Sequence, residues 1–201
     1  MKVRRFAAQF EYSLVAVLAL VGFFSAHALA QPDQTHTLAA QHDATPDQKN
    51  QANALVKIVR ESTERFRDVR VAEAEGYVLQ FGCVSGSDYG AMGLHYVKGS
   101  LVGDDVLDPT NPEILIYEPT ANGHLKLTGA DFLVFAETWH KKNAAPPQLM
   151  GQLLHLFESP NRFGLPAFYT LHVWAWKENP NGTFVNWHPN VSCDAFTPQN
   201  H

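Results

Sequence analysis

The stretch Glu113–Phe135, E-I-L-I-Y-E-P-T-A-N-G-H-L-K-L-T-G-A-D-F-L-V-F, decides the fold. Two apolar-rich runs flank Asn122-Gly123, the dipeptide favoured in two-residue type I′ turns because both positions need a positive φ. The reading is an antiparallel hairpin of Glu113–Ala121 and His124–Phe135. Counting back from an Ala121–His124 pair sets Glu118 opposite Leu127, Ile116 opposite Gly129 and Ile114 opposite Asp131. Short β-like runs separated by Gly, Pro, Asn and Asp continue from Gly76 onward, which favours an antiparallel sheet over βαβ units.

A second hairpin is predicted to turn at Asn179-Pro180-Asn181-Gly182, between Phe168–Glu178 and Thr183–His188. Strict alternation places Thr170, His172, Trp174 and Trp176 on one face of the incoming strand. A four-residue loop pairs Trp176 with Val185 and Trp174 with Trp187. Between the hairpins, His140–Pro166 is proline-bearing and without period, and reads as a long excursion over the sheet.

Ahead of the sheet, Thr45-Pro46-Asp47-Gln48 has the form of a capping box with proline at the first helical position. Leu55, Val59, Ser62, Phe66 and Val69 recur at helical spacing behind it. A second short helix is expected over about Val69–Glu75, ending at Gly76 in the left-handed conformation.

The first thirty residues read as a cleaved signal peptide. Lys2, Arg4 and Arg5 precede the eleven-residue apolar run Leu14–Phe24, and Ala28-Leu29-Ala30 offers a small-x-small cleavage site. That run is far short of the ~20 residues a spanning helix needs. Residues 31–44 are polar and aperiodic, a flexible leader containing His36 and His42, and 45–201 form a single domain. Cleavage removes three basic residues and one acid, taking the formal charge from −5 to −7. Such a domain lacks the basic stripe that binds phosphates, so neither nucleic acid nor stable membrane insertion is expected. Localisation is therefore periplasmic or secreted, and in an oxidising compartment Cys83 and Cys193 are expected to form a disulfide.

The sequence holds no G-x-S-x-G, H-E-x-x-H, C-x-x-C, P-loop or dinucleotide fingerprint, and Asp104, Asp105 and Asp108 miss the spacing of an EF-hand loop. It does carry the strings A-M-G-L-H-Y-V (Ala91–Val97), D-P-T-N-P-E-I-L-I-Y-E-P (Asp108–Pro119), L-H-V-W-A-W-K-E-N-P-N-G-T-F (Leu171–Phe184) and V-S-C ending at Cys193. On these strings, from about Phe66 to Cys193, the chain resembles a family of exported bacterial proteins. The resemblance implies export and a single domain, and it transfers no catalytic residue.

Candidate chemistry therefore comes from residue types and faces. His95 and His172 each sit between apolar neighbours in a strand, and Glu118 shares a face with Ile114, Ile116 and Leu127, where an ionised carboxylate needs a partner. Imidazoles and a carboxylate from separate strands are ingredients of a first-row transition-metal site, so His95, Glu118 and His172 are the expected metal ligands. Tyr96, Trp174 and Trp176 are the expected walls of an aromatic pocket for a small-molecule ligand. His188 is expected on the face opposite His172, His155 in the apolar excursion, and His124 and His140 in solvent.

The fold expected is α+β, an N-terminal helical segment on a curved, mainly antiparallel sheet that partly closes into a barrel. The function expected is exported binding of a small ligand or metal on the concave face of the sheet. Two alternatives stand beside it. One is a metal-dependent barrel-type enzyme of the oxygenase or isomerase kind using His95 and His172, and the other is a structural or interaction module of the envelope.

Overall fold

A computed structural model of the protein describes residues 44–197; the expected signal segment, and the leader up to residue 43, lie outside them. Helix α1 (Pro46–Thr63) opens on the capping box, the Thr45 hydroxyl accepting from the Gln48 N–H at 3.2 Å while Gln48 Oε1 accepts from the Thr45 N–H at 2.8 Å. A 3-10 turn at Glu64–Arg67 then bends the chain into α2 (Val69–Ala74), capped by Asp68 and followed by Gly76 at φ +93°. Leu55, Val59 and Phe66 from the predicted stripe are fully buried, worth roughly 1.5–3 kcal/mol each.

Two short strands, β5 (Gln148–Leu149) and β6 (Gln152–Leu153), pair with each other. The main sheet comprises β1 (Val78–Gly86), β2 (Gly90–Val97), β3 (Ile114–Pro119), β4 (Leu125–Phe135), β7 (His155–Phe157) and β8 (Phe168–Val173). Its order is β1-β2-β3-β4-β8-β7, antiparallel throughout, and it curls into an open half-barrel against the N-terminal helices. One face packs Leu94, Tyr96, Leu115, Tyr117, Phe132 and Leu171 under those helices. The alternate residues, among them His95, Ile114, Asp131, Leu133, Thr170 and His172, line a small cavity on the other face.

That other face is concave. His95 on β2 and His172 on β8 are separated by β3 and β4, so a flat sheet would hold them about 14 Å apart at ~4.8 Å per strand. Their ring centroids are 5.7 Å apart. Three interruptions of register help to bend the strands: at Phe81-Gly82 in β1, at Met92 in β2 and at Thr128 in β4. Gly93 follows the second, with φ +99° and its ideal Cβ only 2.5 Å from the Tyr117 carbonyl oxygen, so only glycine fits there.

The first hairpin corrects the predicted register in an instructive way. The loop has three residues, not two: the Thr120 N–H donates to the His124 carbonyl and the Gly123 N–H to the Thr120 carbonyl, with Gly123 left-handed at φ +80°. Glu118 therefore pairs with Lys126, and Tyr117 with Leu127. The bulge at Thr128 then restores the offset, so Ile116–Gly129 and Ile114–Asp131 pair as expected.

The second hairpin does not form as a ladder. The turn is present, with the Gly182 N–H on the Asn179 carbonyl, but β8 ends at Val173 and 183–188 is not a strand. β8 pairs instead with β4 and β7, and part of the long excursion becomes the edge strand β7. The predicted Cys83–Cys193 bond is present across a separation of 110 residues.

Glu113, just before β3, is 1% exposed; its Oε2 accepts from the Leu133 N–H at 3.2 Å and Oε1 has no partner. Burial pushes its carboxyl up to about 8. A folded-state value above the unfolded one means stability is full below about 4.5 and is lost as pH rises toward 8. The other strongly shifted buried carboxyl, Asp131, is raised only to about 6, and the lowered His95 and His172 contribute losses only as pH falls below 6.5. Between pH 6.5 and 8 the unfolding free energy is thus expected to drop by roughly 2 kcal/mol, with Glu113→Gln removing the drop. Denaturant melts across that window check this; a profile that is flat in the wild type, or unchanged in the variant, contradicts it.

Candidate metal centre

Each side chain at the centre of the concave face is placed by a different strand. Asp131 of β4 lies directly opposite His172 of β8, and cross-strand partners share a face. His95 of β2 reaches the same point across the curl. The three are buried, and one ligand atom from each lies within 4.8 Å of the other two. Metal–ligand bonds of ~2.0–2.2 Å imply ligand separations of roughly 3–4 Å, so closing on an ion takes side-chain shifts of about an ångström.

Hydrogen bonding orients the groups. His95 Nδ1 is 3.2 Å from the Gly93 carbonyl; donating there leaves Nε2 with its lone pair, the arrangement by which backbone carbonyls fix metal-binding imidazoles. The Thr170 hydroxyl donates to Asp131 Oδ1. Neither ring nitrogen of His172 has a hydrogen-bond partner, although the residue is 2% exposed. Its Nδ1 comes to 3.4 Å of Asp131 Oδ1 without hydrogen-bond geometry. An imidazole buried with both nitrogens unsatisfied is costly.

Burial also sets the protonation states. It lowers His172 to about 3 and His95 to about 4, with the neighbouring imidazole adding to the shift of His95. It raises Asp131 to about 6, against the stabilising Thr170 hydroxyl, His95 and the backbone N–H groups of Leu171 and Phe132. At neutral pH the centre therefore consists of two neutral imidazoles and one carboxylate, the forms that ligate metals. His155, half-buried on β7 opposite Thr170, faces the same side, and burial lowers it too.

The other expected site residues go elsewhere. Glu118 is satisfied by Lys177, whose Nζ sits 2.7 and 2.8 Å from its two oxygens, and by the Ser192 N–H; a lysine supplies the positive partner its position demands. Tyr96 faces the helices, packed on Tyr117 at 5.1 Å. Trp176 is on that side as well, its Nε1 donating to Thr63 Oγ1 at 2.9 Å beneath Arg60 and Arg67. The alternation fails because the chain turns at Ala175, whose N–H bonds back to Val173. Trp174 stays on the concave face but is 3% exposed, core between Ile116 and His188, and its indole donates to the Val185 carbonyl. The three aromatic residues therefore do not line one pocket. His188 accepts from the Asn190 N–H and bonds the Glu178 carbonyl through its other nitrogen, so both ring nitrogens are engaged.

Asp131 was the ligand-type residue left out of the expected set. It stood opposite Ile114 in the predicted register, and a lone acid inside A-D-F-L-V-F (Ala130–Phe135) is an anomaly in an otherwise apolar strand. The cavity it shares with the histidines is about 30 Å³ and is otherwise lined by Thr170 and by apolar residues, including Ile114, Leu133, Phe157, Phe163 and Phe168. Comparison of the chain with protein-family models, with curated proteins and with solved structures finds no match.

Proposed function

We propose that this is an exported protein that binds one first-row divalent metal ion through His95, Asp131 and His172. The observation that carries the proposal is the buried His172 imidazole, whose two nitrogens lack partners while it faces a carboxylate and a second imidazole. A metal ion satisfies all three groups at once. Two imidazoles and one carboxylate form a donor set suited to Fe(II) or Zn(II), and three protein ligands leave coordination positions open, as sites that act on a further ligand do. The disulfide and the N-terminal signal-like segment support placement outside the reducing cytoplasm. Among the described residues no helix is long and apolar enough to cross a membrane.

Titration of metal-free protein with Co(II), followed by visible absorption and by thermal melting, tests the reading. One Co(II) per chain should bind and raise the melting temperature, and His172→Ala should abolish both responses. Absence of a saturable spectrum in the wild type, or an undiminished one in His172→Ala, contradicts it.

A further inference from the structure

Resting on the metal-binding reading above, we infer that the centre takes up, together with its divalent ion, one small inorganic monoanion of two or three atoms on the side facing the aromatic cavity. An unbalanced charge would face an apolar, half-open cavity. Two imidazoles ligate as neutral groups and Asp131 brings one negative charge, so a divalent ion among them keeps a net charge of +1. The walls offer nothing to offset it: beyond the three ligands and Thr170, whose hydroxyl is committed to Asp131, every lining residue is apolar. Neither Glu113 nor His155 lines the cavity. A net charge beside low-dielectric walls favours a counter-charge that can enter from the open side.

Size and approach narrow the ligand further. A water-sized group needs roughly 10–15 Å³, so a half-open cavity of about 30 Å³ seats few heavy atoms beside the ion and favours a small ligand over a bulky organic acid. The lining also has no fixed donor to recognise an organic substrate's polar groups. The rim adds a positive field. Phe163, against Phe81 of β1 with ring centroids 5.3 Å apart, bridges the gap between the two ends of the sheet. Beside it the exposed Arg162 donates to the Ser85 carbonyl at 3.0 Å, with its guanidinium over the Phe163 and Trp187 rings. A cation at the mouth of an apolar cavity raises the local concentration of anions.

Azide is the probe. Full-length protein loaded with Co(II) and titrated with sodium azide should show a saturable change in the visible spectrum at one azide per metal. Coupling being reciprocal, saturating azide should tighten Co(II) binding by roughly tenfold. Arg162→Ala should weaken azide by roughly threefold, with Arg162→Lys restoring it because charge alone is at work. If Co(II) binds but azide leaves its spectrum unmoved, the inference falls while the metal reading stands. A nitric oxide adduct of the Fe(II)-loaded protein without azide binding overturns it in favour of a neutral diatomic ligand. Failure to bind Co(II) at all removes the metal reading, and this inference with it.

Discussion

Replacing Asp131 by Asn is expected to make the metal-free protein more stable and to weaken metal binding, two effects of opposite sign from one atom exchange. Asp131 is 3% exposed and its carboxyl is raised to about 6, chiefly by burial. At pH 7.5 it is nonetheless ionised, so the metal-free fold carries a buried negative charge that the two neutral imidazoles do not offset. Asn keeps the shape and an oxygen for the Thr170 hydroxyl while deleting that charge. The gain at pH 7.5 is expected to be about 1–3 kcal/mol. The loss in divalent-metal affinity is expected to exceed about 100-fold, since a charged ligand to the ion itself is removed. Denaturant melts of metal-stripped protein and a competitive metal titration read the two effects separately. A carboxylate present only to anchor β8 would behave differently, the variant losing stability and binding metal as the wild type does.

Breaking the Cys83–Cys193 bond is expected to produce the largest loss of stability of any single covalent change. In the chain-entropy model a bridge closing a loop of this length contributes ~4–5 kcal/mol, and the separation here is 110 residues. The bond ties an edge strand to the C-terminal segment. β1 is an edge strand paired only with β2 and interrupted at Phe81-Gly82. The segment around Cys193 is not a strand, and it is held by Val191 against Ala91, Ile116 and Trp174 and by the Ser192 N–H on Glu118. The double variant Cys83→Ser, Cys193→Ser should melt roughly 10–20 °C lower than the wild type. A shift of less than about 3 °C would mean that β1 and the C-terminal segment are held by packing alone.

Much of the fold was legible because its signals are local. The capping box at Thr45–Gln48, the stripe through Leu55, Val59 and Phe66, and the turn signals after Gly76 each report on a few consecutive residues. What escaped are events one residue in size. Asn122-Gly123 suits a two-residue loop and, with Ala121, a three-residue one, and nothing in the composition of β4 marks Thr128 as the bulge that compensates. Glu118 lies outside the cluster because β3 carries it four residues beyond Ile114, the partner of Asp131, to where it meets Lys177. The turn at Ala175 likewise sends Trp176 to the helices while Trp174 remains beside His172. At the centre, His95 and His172 were recognisable as strand imidazoles, but their convergence depends on the curl, a property of four strands together. Asp131 was recognisable as a charge out of place in an apolar run. Its significance needed β8 as its neighbour, a non-local pairing that the Asn179–Gly182 turn concealed by suggesting 183–188 instead.

Whether His95, Asp131 and His172 hold a metal ion is read out by elemental analysis of the purified protein. Protein expressed from the whole sequence should be purified without chelator and without a metal-affinity step, and analysed by inductively coupled plasma mass spectrometry. Close to one first-row transition-metal ion per chain is expected in the wild type, with its loss in a folded His95→Ala, His172→Ala variant. Wild-type protein that carries no such ion, and takes none up when incubated with Fe(II), Zn(II), Co(II) or Mn(II), would contradict the metal reading.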